Sequence, residues 1–390
     1  MTTFLSAVAL LSLAVWVYLL LGRGFFWRLG EPAPALPPER WPSVAAAVPA
    51  RDEAEVIGRA VASLLSQRYQ GEFRVFVVDD HSRDGTADVA RAAAASCGAA
   101  DRLTIVAPPP LPAGWTGKLW AMSQGLKAVE AEGRSDLVLF TDADIGHDPD
   151  NLAGLVARLE AGRLDMASLM VKLRCESLAE RFLIPAFVFF FAMLYPFAWS
   201  NDRRARTAAA AGGCILVRRE ALARIGGVER IRGELIDDCA LAAAVKGQGG
   251  AIWLGLTQRT VSLRPYPEIG DVWRMVARTA YTQLRYSPVL LAGTVLGMIV
   301  TYLVPPLLTA AGLVFAIGSP ATWAALAAWV LMTVSFMPIL RFYGITFAWA
   351  PLLPAVAFIY LAATVDSARL HWRGKGGEWK GRVQQLRGRA

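Results

Sequence analysis

Between residues 43 and 144, short apolar runs alternate with stretches of helical spacing, and this alternation restricts the fold more than any other feature of the chain. Residues 43–48 (SVAAAV) read as a buried strand. Val56, Ile57, Ala60, Val61, Leu64 and Leu65 then recur at helical spacing. Residues 74–80 (RVFVVDD) form a second strand, closed by the turn signal Ser82–Arg83–Asp84–Gly85. The pattern repeats with a helix at 84–95, a strand at 103–107, a helix at 118–130 and a strand at 136–144. Such alternation predicts an α/β domain with a largely parallel sheet and helices on both faces.

Sheets of this kind bind ligands at the carboxyl ends of their strands. Two acidic clusters fall there: Asp79–Asp80 after VFVV, and Asp142–Ala143–Asp144 after LVLFT. Transfer of a group from a nucleotide diphosphate needs its charge neutralised, and Mg²⁺ or Mn²⁺ takes oxygen ligands, often only one or two protein carboxylates plus phosphate oxygens. An Asp-x-Asp at a strand end can supply them. An acceptor hydroxyl also needs a positioned carboxylate to take its proton.

The rest of the chain is apolar. Overall 55% of residues are hydrophobic and 18% charged, fewer charges than a soluble domain carries. Residues 3–22 hold no charge and are long enough to span a bilayer, and Arg23 and Arg28 follow at once. With the positive charge after the run, the segment reads as a retained anchor rather than a signal peptide, and the domain after it as cytoplasmic. Residues 31–42 are Pro-rich and read as a linker. Residues 183–199 are apolar with two prolines and suit an interfacial helix or lipid-acceptor groove, with a true span as the alternative. Runs at 288–317, 320–340 and 346–365 are nearly free of charge, and Pro305–Pro306 leaves the first as one kinked span or a broken pair. Three crossings here would place the basic tail opposite the domain, against the positive-inside rule; two or four would not.

Net charge is +8, much of it in a tail where Arg369, Arg373, Lys375, Lys380, Arg382, Arg387 and Arg389 face Glu378. Beside apolar helices this balance fits anionic lipid headgroups rather than nucleic acid. Cys97, Cys175, Cys214 and Cys239 show no metal or framework spacing and read as unpaired thiols.

Residues 48–53 (VPARDE), 77–86 (VVDDHSRDGT) and 141–144 (TDAD), in that order and spacing, resemble family 2 inverting glycosyltransferases of the GT-A fold, a nucleotide-diphospho-sugar transferase fold of Rossmann-like type. The resemblance covers about residues 43–290. It implies an N-terminal anchor (1–24), a linker (25–42), a glycosyltransferase domain (43–286) carrying the apolar segment 183–199, transmembrane segments (287–366) and a basic cytoplasmic tail (367–390). It also implies roles. Pro49, Arg51 and Glu53 would line the nucleotide pocket, with Asp79 on the base and Asp80 shaping the pocket. Lys118, in a Gly-Lys-x-x-Ala-like segment, would meet phosphate. Asp142 and Asp144 would hold the metal and diphosphate. Gly212 and Gly213 resemble the acceptor-side loop, where missing side chains let the acceptor approach the backbone. Asp238 takes the place of the general base, with Asp237 where a Glu is usual.

The processive-synthase Gln-x-x-Arg-Trp segment is only partly matched by Thr282–Gln283–Leu284–Arg285–Tyr286, which points to transfer of a single sugar and leaves Arg285 as a donor contact. Arg274, Arg278 and Arg285 share a helical face by spacing, facing pyrophosphate or lipid headgroups. The anchor, residues 112–118 (PAGWTGK) and the apolar C-terminal segments resemble the bacterial hopene-associated glycosyltransferases. That implies a membrane-lipid acceptor such as a hopanoid, and the carotenoid and ceramide glycosyltransferase-like enzymes look close as well; a UDP-linked hexose donor and a multi-pass protein of the bacterial inner membrane are the accompanying expectations. A catalytically inactive scaffold with the same fold is the competing class, and it predicts a broken carboxylate set. Other readings of the same residues stay open: Asp79–Asp80 and Asp237–Asp238 also suit helix caps, Asp142 and Asp144 a turn, Lys118 a helix start and Gly212–Gly213 a turn. Oligomeric state is not encoded in any feature of the chain.

Overall fold

The computed structural model describes residues 2–315, 317–376, 378–379 and 382–383. Helix α1 (Thr2–Leu21) opens the chain, followed by β1 (Val44–Ala50), α2 (Ala54–Leu65), β2 (Phe73–Asp79), α3 (Thr86–Ser96), β3 (Leu103–Val106), α4 (Gly117–Glu132), β4 (Leu137–Phe140) and β5 (Ile145–His147). Then come α5 (Asn151–Ala161), β6 (Met166–Lys172), α6 (Leu178–Leu194), α7 (Phe197–Asn201), β7 (Ile215–Arg218), α8 (Arg219–Ile225), α9 (Asp237–Gly247) and β8 (Ile252–Ser262). Helices α10 (Ile269–Gln283), α11 (Pro288–Met298), α12 (Val304–Phe315), α13 (Pro320–Tyr343) and α14 (Leu353–Trp372) follow. The chain divides into two compact units, one containing residues 31–174 and 199–265, the other 2–30, 175–198 and 266–376.

The first unit is built on an eight-stranded sheet of order β3-β2-β1-β4-β7-β6-β8-β5. Strand β1 pairs in parallel with β2 on one side and β4 on the other, with Ala50 opposite Asp79 and Ala47 opposite Phe140. Every residue of β1 is buried. Alternate side chains serve opposite faces: Val44, Ala46 and Val48 join Ile57, Val61 and Leu64 of α2, while Ala45 and Ala47 meet Leu119, Met122 and Leu126 of α4. A strand covered on both faces reads as a continuous apolar run, which is why alanine and valine fill it. Truncating Leu64, fully enclosed here, would cost about 2–5 kcal/mol.

Two expectations change. The sheet is mixed, because β7 runs antiparallel to β4 and β6, and β5 antiparallel to β8. The strand expected over 136–144 ends at Phe140, where the chain turns: Thr141 Oγ1 donates to Gly213 O at 2.7 Å and Leu263 N to Asp144 O at 2.7 Å. The Pro-rich segment, read as a linker, is also held to the sheet unit: Glu31 Oε1 accepts from Gln258 N at 3.2 Å, Ala33 O accepts from Arg158, and Pro42 O accepts from Tyr69.

The second unit is helical and gathers the apolar segments. Four helical runs are long and apolar enough to cross a membrane: Thr3–Leu21, Pro288–Phe315, Pro320–Tyr343 and Phe347–Trp372. Pro288–Phe315 is one continuous run. A π-helical turn at Ile299–Leu303 precedes Pro305–Pro306, a wide turn that absorbs hydrogen bonds the prolines cannot make. The last run extends past 366 to Trp372, and residues 384–390, with Arg387 and Arg389, lie outside the described residues.

The apolar segment at 183–199 is not an open groove. Its helix starts earlier, at a capping box of Ser177 and Glu180, and ends at Leu194. Leu183, Ile184, Phe189 and Phe190 are buried, with Phe189 packed on Phe26 and Phe336, and Phe190 on Tyr302 and Tyr360. The helix is therefore an internal element of the helical unit. Arg285 also departs from expectation. Helix α10 ends at Gln283, and Arg285 and Tyr286 take positive φ of 52° and 56°, so the helical face holds Arg274 and Arg278 without Arg285.

Candidate active site

The carboxyl ends of β1, β2 and β4 lie side by side where the strand order reverses at β1, the place an open α/β sheet leaves a crevice. Two loops close one wall. Asp52 N donates to Ser82 Oγ at 2.9 Å, Arg83 N to Asp52 Oδ1 at 2.9 Å, Glu53 N to Thr86 Oγ1 at 2.9 Å and Ala54 N to Asp84 Oδ2 at 2.9 Å. These cross-bonds lock the segment after β1 to the segment after β2. Burial pushes the Asp84 carboxyl up, but hydrogen bonds from Thr86 and Ala54 outweigh it and hold it below its ordinary value.

Within this wall Asp80 is fully buried. Arg51 Nη1 donates to Asp80 O at 2.6 Å and sits 3.6 Å from its Oδ2. Asp80 thus anchors the pocket's frame, while Asp79 caps the turn, its Oδ1 accepting from Ser82 N at 3.1 Å.

The two aspartates of the Asp142–Ala143–Asp144 turn have different partners. Lys118, at the start of α4, places Nζ 2.8 Å from Asp142 Oδ1 and 3.1 Å from Asp237 Oδ2. Burial lowers the lysine's proton affinity, but Asp142 and Asp237 raise it well above normal, so the ammonium is retained. The Asp142 carboxyl is raised, by burial first and then by Asp144 and Asp237, against the pull of Lys118. Asp144 instead binds Arg264: Nε donates to Asp144 Oδ2 at 2.9 Å, and Nη2 donates to Glu53 Oε2 at 2.5 Å.

Asp238 opens α9. Its Oδ2 accepts from Gly212 N at 2.9 Å and its Oδ1 from Cys239 N at 2.7 Å. Burial and the neighbouring Asp237 charge push its carboxyl up to about 6, against Lys118 and the two backbone donors. A carboxylate tuned near 6 is matched to taking a proton near neutral pH. Small residues suit the facing loop: a Cβ at Gly213 would stand only 2.6 Å from Val171 Cγ2, and one at Gly212 would press on Lys118 Nζ at 3.2 Å. Pro49, Lys118, Thr141, Asp142, Gly212 and Asp238 line a common small cavity.

The structure therefore brings together Pro49, Arg51, Glu53, Asp79, Asp80, Lys118, Asp142, Asp144, Gly212, Gly213, Asp237 and Asp238 in the sheet unit. Arg285 belongs to the helical unit. One residue escaped the sequence reading. Arg264 follows β8, a strand with no counterpart in the pattern of residues 43–144. His147, which has no second His or Cys at ligand spacing in the sequence, is a buried hub. Thr141 Oγ1 gives its proton to Gly213 O, so it accepts from His147 Nε2–H at 3.0 Å, and Nδ1 accepts from Asn151 Nδ2 at 3.2 Å. Burial pushes this imidazole down to about 4, so it is neutral.

Among the described residues, no group of three or more His, Cys, Asp or Glu converges as a metal site. Asp142 and Asp144 still present hard oxygen donors, a set that fits a cation taking its other ligands from substrate phosphates.

A family model described as Glycosyltransferase like family 2 matches residues 42–282. Among solved structures, a mannosyltransferase from Pyrobaculum calidifontis, in complex with GDP-Man and Mn²⁺, superposes with a TM-score of 0.55 at 19% identity, over 94% of this chain and 99% of that one. The glucosyl-3-phosphoglycerate synthase of Mycobacterium tuberculosis gives 0.41 at 18% identity over 63% and 80%. TarS of S. aureus gives 0.40 at 18% identity over 61% and 40%. No curated protein matches the sequence closely enough to count as a relative.

Proposed function

This chain belongs to glycosyltransferase family 2, and on that premise we propose that it moves one hexose, with inversion, from a UDP-linked donor to a hydroxyl of a membrane lipid, a hopanoid being the first candidate. The fold is a GT-A-like mixed α/β sheet with an N-terminal helix and apolar C-terminal helices, and the protein is a glycosyltransferase. The observation that carries the reading is the cluster in which Lys118 bonds both Asp142 and Asp237 beside Asp238, setting a donor-side carboxylate and a base tuned to about 6 along one narrow crevice.

In this reading Asp238 takes the proton of the acceptor hydroxyl. The oxygen attacks the anomeric carbon as the bond to the diphosphate breaks, and the bonding pair leaves on the diphosphate oxygen. Gly212 and Cys239 keep Asp238 aimed through their N–H groups. Lys118 retains a positive charge beside the site of the departing diphosphate. A divalent cation held by Asp142 and Asp144 would supply further neutralisation of the leaving diphosphate. Arg51, Glu53, Asp79 and Asp80 form the wall that receives the nucleoside. The catalytic unit faces the cytoplasm of a bacterial cell and the helical unit sits in its inner membrane, a placement supported by four apolar runs and by Arg23 and Arg28 directly after the first. The resemblance to hopene-associated enzymes supports the lipid class.

The test is an assay of the full chain with bacterial lipid extract and a panel of labelled UDP- and GDP-sugars, the product identified by mass spectrometry. A glycolipid formed by the wild type and absent with Asp238→Asn supports the reading. Transfer only to water-soluble acceptors, or from GDP-sugars alone, refutes the acceptor or the donor respectively.

A further inference from the structure

The three apolar runs after residue 287 pose a parity problem: three crossings leave the basic residues after the last run on the face opposite Tyr286. Contacts inside the helical unit resolve it. Trp16 of α1 donates through Nε1 to Thr301 O at 2.8 Å, and Ala9 packs with Ala324 and Ala325. The run 288–315 therefore descends along α1 towards its N-terminal end, and α13 climbs back. So far there are two crossings.

The last run does not complete a third. Its 3₁₀ segment, Phe347–Leu352, turns back along α13, where Trp329 Nε1 donates to Pro351 O at 3.1 Å. Trp329 lies about 20 Å from the Tyr343 end of α13 at the helical rise, short of the ~30 Å apolar core. Helix α14 then returns. Tyr360 OH donates to Leu183 O at 3.0 Å, Asp366 Oδ2 accepts from Trp273 Nε1 of α10 at 3.0 Å, and Ser367 Oγ accepts from Tyr281 N at 3.0 Å. His371 stacks on Tyr286 with centroids 4.4 Å apart. Tyr286 immediately precedes the first of the three runs, so the segment leaves and returns at one face. Backbone at membrane depth needs its polar groups satisfied; this segment is 3₁₀-helical, with Trp349 N donating to Thr346 O at 3.3 Å, and its exposed side chains Phe347, Pro351 and Leu352 are apolar.

Charge follows the same geometry. Arg274, Arg278 and Arg285 are exposed around α10, and Arg369, Arg373 and Lys375 are exposed at the end of α14 that packs against it. The connection around Gly318, at the other end of the helices, carries no charge. Trp273, Tyr286 and Trp372 stand among the cations, the aromatic composition of a membrane interface.

We propose that Phe347–Trp372 is a re-entrant helix rather than a span, and that Arg274, Arg278, Arg285, Arg369, Arg373 and Lys375 form one collar seated on the anionic headgroups of the leaflet it leaves and re-enters. The proposal rests on the membrane reading given above, and its tests use no sugar transfer, so its failure is separable from failure of the acceptor assignment. Sealed vesicles bearing the full chain are treated with a membrane-impermeant maleimide, and labelled peptides are identified by mass spectrometry. A cysteine at Ser287→Cys marks the face from which the first run leaves. One at Lys375→Cys should label together with it, and one at Gly318→Cys only in vesicles of opposite orientation. Labelling of position 375 together with 318 overturns the re-entrant helix. The collar is tested by lipid retained on detergent-purified protein. Arg278→Gln with Arg373→Gln should hold several-fold less phosphatidylglycerol relative to phosphatidylethanolamine, and an unchanged ratio overturns the collar.

Discussion

Arg264 Nε donates to Asp144 Oδ2 at 2.9 Å, and this pair couples the far edge of the sheet to the carboxylate turn. The same guanidinium reaches Glu53, so a single cation neutralises one residue of the nucleotide wall and one of the metal-side pair. Replacing it with Gln removes this positive charge from both carboxylates. Charge-assisted hydrogen bonds of this kind contribute about 1.5–3 kcal/mol. Arg264→Gln should therefore lower kcat/KM by about ten- to a hundredfold, measured with the donor varied at saturating acceptor. An unchanged kcat/KM would show that Arg264 has no part in donor handling.

The Asp238 carboxyl at about 6 gives a pH prediction with a definite sign. A general base works deprotonated, so kcat/KM should fall as pH drops through about 6 and level off above it. Asp237 is a cause of the upward shift, so Asp237→Asn should move the acid limb to lower pH. Asp238→Asn should cost about 10²–10⁴-fold in kcat at every pH, with donor binding by calorimetry retained. An acid limb that stays in place in Asp237→Asn would remove Asp238 as its source.

Lys118 is bonded to both Asp142 and Asp237. Replacement by Met leaves three carboxylates around one cavity without it, since Asp238 also feels its charge. Because Lys118 pulls Asp238 downward, its loss should shift the acid limb of kcat/KM to higher pH, opposite to Asp237→Asn. The two variants thus form a signed pair, and limbs moving in the same direction would contradict the cluster's electrostatics.

The parallel half of the sheet was legible because β1, β2, β3 and β4 are short apolar runs whose neighbours show helical spacing. The carboxylates Asp79, Asp142 and Asp144 were legible because they follow those runs at once. The antiparallel half was not. β7 is only four residues long, and β8 carries polar residues in its second half, so neither shows a clean period. Arg264 was hidden for the same reason, since its partners are set by the β5–β8 pairing rather than by any local motif. The segment at 183–199 is apolar whether it faces lipid or other helices, and composition alone does not separate the two cases.

His147 supplies a test of how the carboxylate turn and the glycine loop are held together. Its imidazole is buried at 6% exposure and pushed down to about 4, while an unfolded histidine titrates near 6.5. Between these values the unfolded chain binds the additional proton, so folded stability from this group falls as pH drops from about 6.5 to about 4. The full loss is about 3 kcal/mol by the linkage relation. His147→Gln has no such titration. The wild type's stability relative to this variant should shrink by about that amount across the window, read from urea midpoints of the full chain in detergent. The network also predicts a catalytic split. Thr141→Val removes the hydroxyl that donates to Gly213 O and accepts from His147, loosening the loop whose Gly212 N–H aims Asp238. Aim of the base matters to the chemical step and little to donor affinity, so kcat should fall about tenfold with donor KM nearly unchanged, for a lost hydrogen bond of about 1–1.5 kcal/mol. A rise in donor KM with unchanged kcat would place the network on the donor side instead.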